Sequence, residues 1–276
     1  MIEQIIPQNK PEDTVRTVIL DKDPTHEELE RNIREHLDLR LRFAEAVSKA
    51  KGIPLADAMR DHTDLHVRLT RKRFRQSEHP DQIWQEFVGG ISALSHDALL
   101  DRIIQFFKSD SITQHEGDPF YPFRYGYSER DHAIELHFGT MRPRAGNPDA
   151  TEYPYRVKEM RKKLREMFME IKHKYPDPDN SLTVHVASWL LNREISQRFF
   201  PRAFTERLQI RKGVFTGGGA WGQFRDKSGG VNEVIKARFL SNLKHLNPDH
   251  LEDAFPYKTL MASAPIEDFY KEYGIS

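Results

Sequence analysis

Residues 182–201, LTVHVASWLLNREISQRFFP, constrain the fold of this chain more than any other stretch. The first part is a short run of β-branched and small residues, which is typical of a buried strand. The residues that follow predict a short helix from Asn192, with polar groups at the junction. Because side chains alternate along a strand, Thr183 and His185 share one face of it. We therefore expect a sheet to be built around this segment.

The N-terminal part of the chain has apolar residues at the three-to-four-residue spacing that indicates helices. Thr25 and Glu28 form a capping box before the first of these helices, and Gly52 ends it. The predicted helices cover residues 26–51, residues 54–75, a segment that starts at 79, and residues 95–108.

The C-terminal part alternates between strand and helix patterns. A strand, a long helix and another strand in succession favour a right-handed parallel crossover. The fold class that we predict is therefore α+β, with a helical N-terminal subdomain (1–110) followed by a mixed α/β domain (111–276). Its predicted elements are strands at 120–127 and 133–138, a helix at 155–175, the central strand, two strands within 209–224, a helix at 232–245, and a helix at 265–273. The helix at 232–245 is expected to have Val234, Ala237, Leu240 and Leu243 on its inner face.

Composition excludes several classes of function. The 42 Lys and Arg residues balance the 42 Asp and Glu residues, which argues against nucleic acid or an anionic membrane as a partner. The chain has no cysteine, which excludes disulfides, thiolate zinc sites and a cysteine nucleophile. No stretch approaches the roughly 20 apolar residues of a membrane helix, and the acidic N-terminus does not resemble a signal peptide. We therefore expect a cytoplasmic protein.

Glu135 and His137 project from one face of the predicted strand 133–138. If this strand lies beside the central one, a carboxylate and the imidazoles of His137 and His185 line one side of the sheet. Such a group can act as a general base, because histidine titrates near neutral pH and a carboxylate fixes its tautomer. The alternative is that the histidines bond to the backbone or lie beneath a helix.

Polar side chains also mark the end of the central strand. Ser188, Asn192 and Arg198 lie where parallel α/β sheets bind ligands, so Ser188 is a candidate catalytic residue and the other two are candidate substrate contacts. The alternative is that Ser188 or Asn192 caps the helix while Trp189 fills the core.

Three further groups are candidates for binding. Arg142 and Arg144 can hold a phosphate or carboxylate, although exposed loop arginines are common. Trp221 and Gln223 follow a glycine run that permits close backbone approach, although such a turn also forms without a ligand. His62 and His66 have the i,i+4 spacing of a metal pair, which a solvated helix face shares.

The central stretch resembles a largely uncharacterised bacterial family with segments of the form G-G-S-W-L-Y-N, R-R-L-F-P and W-G-Q-F-L-D. The C-terminal FPYKTLMASAPIEDFYKEYGI is similar to the ending of that family. The counterparts here are Ser188, Trp189, Leu190 and Asn192, then Arg198, Phe200 and Pro201, then Trp221, Gly222, Gln223, Phe224 and Asp226. The residues that differ from the family pattern are Val186, Ala187, Leu191 and Gln197.

The S-W-L-L pattern after a strand is similar to the C-terminal part of GNAT-like acyltransferases. The resemblance implies that a strand, a helix and a strand ending in S-W-L-L form an acyl-CoA-binding core. In those enzymes a loop of the form Q/R-x-x-G-x-G/A holds pyrophosphate. The corresponding residues here, 139–155, contain Arg142, Arg144 and Gly146 at a different spacing.

The resemblance implies a GNAT-like transferase that moves an acyl-type group to a small amine-bearing substrate. Its cofactor would be acyl-CoA or another acyl donor, with no metal, and Glu135, His137 or His185 would supply the base. The alternatives are a non-enzymatic small-ligand-binding or interaction protein on the same scaffold, and a His/Asp metalloenzyme.

Overall fold

The computed structural model describes residues 26–70, 82–108, 120, 123–138, 153–177, 179, 181–213, 219–226 and 230–276. The architecture is mixed α+β, as predicted: a helical N-terminal region precedes a five-stranded sheet with its own helices. The described N-terminal helices are α1 (His26–Lys51), α2 (Leu55–His62), α3 (Leu65–Thr70), α4 (Gln82–Val88) and α5 (His96–Lys108).

The C-terminal end of α1 follows the predicted signal, whereas Thr25 of the predicted capping box lies outside the described residues. Gly52, directly after α1, has a φ of 65°, the left-handed conformation that glycine adopts most easily at a helix end. The Ser95 hydroxyl accepts a hydrogen bond of 3.3 Å from the backbone N–H of Ala98, which caps α5.

The single helix predicted for residues 54–75 is wrong, because the chain breaks at Thr63 and Asp64 between α2 and α3. The Thr63 hydroxyl donates to the Met59 carbonyl at 2.5 Å and accepts from the backbone N–H of Leu65 at 3.1 Å, so it satisfies groups at both helix ends. The periodicity of apolar residues continues through this break, which is why the sequence pattern did not reveal it.

The break places the Asp64 carboxylate in the helical core between two arginines. One carboxylate oxygen accepts from Arg40 Nε, and the other accepts from Arg68 Nε at 2.6 Å. Burial lowers the pKa of Arg40 to about 10, although Asp64 raises it. Burial alone would raise the pKa of Asp64, but the two guanidinium groups outweigh it and lower that pKa.

The sheet has the strand order β1-β2-β3-β5-β4. Strand β2 runs parallel to β3, and the other pairs, β1–β2, β3–β5 and β4–β5, are antiparallel. Its strands are β1 (Phe123–Ser128), β2 (Ala133–Phe138), β3 (Thr183–Ser188), β4 (Gln209–Ile210) and β5 (Leu260–Pro265). The helices of this part of the chain are α6 (Tyr153–Lys174), α7 (Glu194–Gln197), α8 (Arg202–Thr205), α9 (Glu233–Leu243) and α10 (Ile266–Glu272).

Strand β5 corrects the sequence analysis, which placed two strands within 209–224 and none after 232. In the described part of 209–224, only Gln209–Ile210 is extended, and Trp221–Phe224 forms a 3-10 helix. The helix predicted from Asn192 is also different: Trp189–Asn192 is a 3-10 helix and α7 follows it. These short segments take their conformation from distant partners, which periodicity does not report.

One hydrophobic core lies between the sheet and the helices α6 and α10. Strands β2, β3 and β5 turn alternate residues toward it, as expected for a sheet covered on one side. Its members include Ile134, Leu136, Val184, Val186, Ala262, Ala264, Met160, Leu164, Phe168, Ile266 and Phe269.

A second hydrophobic core joins the N-terminal helices to residues 220–255. Helix α9 contributes Ile235 and Phe239, and the predicted interior residues Leu240 and Leu243 pack against the same core. The prediction is wrong for Val234, which is 70% exposed, and for Ala237, which is also exposed. The second core therefore uses chain segments from both sides of residue 110. The predicted boundary at that position stays a prediction.

Candidate functional site

The polar face of the sheet brings together the carboxylate and the two imidazoles that the sequence pattern selected. Ile134 and Leu136 enter the core beneath α6, so Glu135 and His137 project from the opposite face of β2. The parallel register between β2 and β3 sets Glu135 beside His185. The two strands are thus neighbours, as the predicted site required.

Two close contacts organise this face. Glu135 Oε2 lies 3.8 Å from His137 Nε2, and the two side chains are 44% and 53% exposed. The Thr183 hydroxyl and His185 Nε2 share a hydrogen bond of 3.1 Å. A carboxylate beside an accessible imidazole is an arrangement that can accept and hold a proton.

Space beside Glu135 comes from Gly126 on β1, which is the register partner of Glu135. Among the described residues, a Cβ atom built at Gly126 would meet no other atom within 4 Å. On the other side, Ser263 of β5 is the register partner of His185 and is exposed. The row Gly126, Glu135, His185 and Ser263 therefore crosses four strands and has open space at its β1 end.

The strands β2 and β3 stop pairing before they end. Their mutual register covers residues 133–136 and 183–186. Strand β2 keeps its register with β1 through Phe138, and β3 keeps its register with β5 through Ser188. The carboxyl ends of the two strands are thus held by their outer neighbours, beside His137. In open α/β sheets, ligands bind at the carboxyl ends of parallel strands.

Ser188 and Asn192 both bond to the backbone in the turn after β3. The Ser188 hydroxyl accepts from the backbone N–H of Leu190 at 3.2 Å, which caps the 3-10 helix. The Asn192 side-chain amide donates to the carbonyls of Trp189 at 2.7 Å and Lys258 at 2.6 Å. These bonds tie the turn to the segment that leads into β5. A catalytic role for Ser188 and a substrate contact by Asn192 stay predictions.

Trp221 lies in the second core rather than on the polar face of the sheet. It is 2% exposed, and its ring packs edge-on against Phe43 at 5.7 Å and Phe255 at 5.1 Å. The Arg40 guanidinium lies 4.7 Å from the centre of the same ring. In the described part of the chain, these contacts surround Trp221 with protein side chains.

Gln223 is also buried, at 2% exposure, and its amide is shared between two backbone segments. Its Nε2 donates to the carbonyls of Ala220 at 2.8 Å and Tyr257 at 3.1 Å, and its Oε1 accepts from the Tyr257 N–H at 2.9 Å. These three bonds hold the turn at Ala220 against the segment before β5. A substrate contact by Gln223 stays a prediction.

The arginines proposed as binding residues fall in different regions. Arg198 lies just after α7 and pairs with Glu194 at 2.9 Å, on an exposed surface. Its carbonyl accepts a hydrogen bond of 2.9 Å from Arg161 of α6. Arg142 and Arg144 lie outside the described residues, so the predicted anion contact of that loop stays a prediction.

The His62 and His66 pair does not share one helix, because the break after α2 separates the two residues. His66 packs edge-on against Trp84, with ring centres 5.0 Å apart. Burial, together with Lys51, lowers the pKa of His62. In the described ranges, no cluster of three or more His, Asp or Glu side chains has the arrangement of a metal site. Nor do those ranges contain a helix with the length and apolar character needed to cross a membrane.

Sequence analysis did not select Gly126 or Ser263, the two outer members of the row. A glycine within the aromatic run FYPFRYGY was the available signal, because glycine weakens a strand and often marks a close approach. No such signal existed for Ser263, since β5 itself was not predicted.

Comparisons with protein-family models, with curated proteins and with solved structures found no match to this chain.

Proposed function

We propose that this chain is a GNAT-like transferase that moves an acyl-type group to a small amine-bearing acceptor. The observation that supports it best is the Glu135–His137 pair, which lies on an accessible face beside the ends of two parallel strands. The site combines a proton acceptor, open space at Gly126 and a position where α/β sheets bind ligands.

The strand arrangement also supports the proposal. The unit β2–α6–β3 is a strand, a long helix and a parallel strand, and β3 ends at the S-W-L-L segment. The resemblance implied that same succession for the acyl-CoA core of GNAT-like enzymes. Strand β5 lies antiparallel on the other side of β3, so the S-W-L-L segment begins inside the sheet rather than at its edge.

In the proposed reaction the amine nitrogen attacks the carbonyl carbon of an acyl thioester, and a C–N bond forms as the C–S bond breaks. His137 accepts the proton that the amine loses, and the thiolate leaving group takes up a proton to become a thiol. The Glu135 carboxylate, whose Oε2 lies 3.8 Å from His137 Nε2, places a negative charge beside the ring that accepts this proton. Thr183 holds His185 beside them through the bond of 3.1 Å.

The test is a panel of donors, made of acetyl-CoA, longer acyl-CoAs and aminoacyl donors, with a mixture of small amines as acceptors. Isothermal titration calorimetry reports binding, and release of the leaving group of the donor reports turnover. We expect one donor class to bind and turn over. A well-folded protein that shows neither heat nor turnover with any donor contradicts the proposal.

Variants then locate the chemistry. His137→Gln and Glu135→Gln should each lower kcat by about 100-fold or more, the size of effect expected when a general base is removed. The matched control is His173→Gln, because His173 is an exposed histidine in the last turn of α6, the helix that packs on the opposite face of the sheet. Equal activity of the His137 and His173 variants would exclude His137 as the base.

A second candidate is a non-enzymatic ligand-binding or interaction protein on this scaffold. It is favoured by the hydrogen bonds of Ser188, Asn192 and Gln223, whose polar groups all bond to the backbone. Donor or amine binding without turnover, and with the same affinity in the His137→Gln variant, would support this candidate over the transferase.

A further inference from the structure

Strand β1 is an edge of the sheet. In the described residues its strand partner is β2, and the opposite side of β1 has no strand beside it. An edge strand presents backbone donors and acceptors that a further strand can pair with. The hydrogen bonds that β1 can offer to a further strand therefore depend on which of its residues turn their backbone N–H and C=O groups outward.

The backbone orientation follows from one bond between β2 and β3. The Thr183 N–H donates to the His132 carbonyl at 3.3 Å, so the His132 carbonyl faces β3. Backbone groups alternate in direction along a strand, so Glu135, three residues later, faces β1. Gly126 is the register partner of Glu135 and faces back toward β2.

The residues on either side of Gly126 therefore turn their backbone N–H and C=O groups outward. These residues are Tyr125 and Tyr127. The Phe123 N–H agrees with this alternation, because it turns away from β2 and donates to the Phe120 carbonyl at 2.9 Å. Among the described residues, no backbone partner reaches Tyr125 or Tyr127 from the outer side.

A cavity of about 370 Å³ lies beside this outward backbone, between β1 and the end of α6. Tyr127 and Tyr175 stack with ring centres 4.5 Å apart and form one wall. The Tyr125 hydroxyl donates to Glu170 Oε1 at 2.6 Å. Burial and the bond to Glu170 raise the pKa of Tyr125.

Two cationic side chains line this cavity, Arg124 of β1 and Lys174 at the end of α6. The Nζ atom of Lys174 lies 5.8 Å from the ring centre of Tyr125 and 5.3 Å from that of Tyr175. In the described part of the chain, Lys174 makes no ion pair, and the nearby Glu170 accepts the hydrogen bond from Tyr125. An acidic side chain that enters the cavity would complete the charge balance beside the aromatic rings.

We propose that the β1 edge binds an extended acidic peptide, which adds a strand to the sheet and places an acidic side chain beside Lys174. Main-chain bonds to Tyr125 and Tyr127 supply affinity, and the cavity selects the side chain. This division of roles is general for peptides that extend a sheet.

The first test uses a short fluorescein-labelled peptide in which valine alternates with glutamate, and fluorescence anisotropy with the full chain. Two further peptides carry N-methyl groups, one on every valine and the other on every glutamate. Because alternate N–H groups of a strand face opposite edges, N-methylation should abolish binding in one isomer and spare it in the other. Equal affinity of all three peptides, or no binding by the parent, overturns the proposal.

The second test concerns charge. Lys174→Glu should weaken binding of the parent peptide by about tenfold, with the loss concentrated at low salt. Lys162→Glu is the matched control, because Lys162 is 76% exposed on the same helix and pairs with Glu166 at 3.8 Å instead. Equal effects of the two variants overturn the proposal. Analytical ultracentrifugation tests whether a second copy of the chain occupies the edge instead. If the chain forms a dimer and the parent peptide dissociates that dimer, the edge binds a second copy and the proposal is overturned.

Discussion

Asp64→Asn should lower the free energy of unfolding by more than the loss of an exposed ion pair would, because Asp64 neutralises a buried arginine. The Asp64 carboxylate is 4% exposed and bonds to Arg40, whose side chain is 5% exposed. Burial lowers the pKa of Arg40 to about 10 even with Asp64 in place, so this site already disfavours the charged form of the guanidinium. Asp64→Asn removes the countercharge from that buried guanidinium, which costs about 3–5 kcal/mol in buried pairs.

The assay is urea unfolding followed by tryptophan fluorescence, because Trp84 and Trp221 both belong to this core. The control is Asp57→Asn on α2, which also removes one carboxylate from an arginine, Arg60 at 3.0 Å, but in a partly exposed pair. We expect the control to cost less than about 1 kcal/mol. A loss for Asp64→Asn that matches the control would refute the buried-charge argument.

The same network has a definite pH dependence. The folded-state pKa of Asp64 is lowered, so its contribution to the free energy of unfolding is present above the unfolded-state value of 3.8 and disappears as the pH falls through the folded-state pKa. The wild type and Asp64→Asn should therefore converge in stability only in strong acid. A double variant, Arg40→Met with Asp64→Leu, should recover most of the lost stability, since an apolar pair needs no countercharge.

Three other predictions concern single positions. Gly126→Val should leave the free energy of unfolding within about 1 kcal/mol of wild type, because valine suits a strand. The same variant should lower kcat/KM at least about tenfold, because the valine side chain fills the space beside Glu135, and unchanged kinetics would refute the proposed site. His96 bonds to Asp38 and Glu45, both at 2.8 Å, and these bonds raise its pKa against the opposing effect of burial. Its stabilisation should be complete below about pH 6.5 and decline as the pH rises through the folded-state value, a slope that His96→Gln should remove from melting curves. Gln223→Ala should cost about 1–3 kcal/mol in urea unfolding, because buried backbone groups lose their partner; a substrate contact would instead change KM with little effect on stability.

The sequence alone was sufficient for the elements whose signals are local. The capping box of Thr25 and Glu28 and the glycine at residue 52 predicted the two bounds of α1, and the alternation in residues 133–138 predicted β2. The same alternation assigned Glu135 and His137 to one face, because a strand has only two faces. The neighbouring position of β3 followed from the long helix between the two strands, since a helical crossover returns the chain parallel to itself.

Only the tertiary structure decided the rest, because its causes lie far apart in the chain. Strand β5 forms where its backbone pairs with β3 and β4, not where its own sequence is strongly β-prone. Gln223 takes its role from Tyr257, which lies 34 residues later. The break at Asp64 depends on Arg40, which belongs to another helix. Local patterns determined which residues share a face, whereas long-range pairing determined which of these faces became core and which stayed open to a ligand.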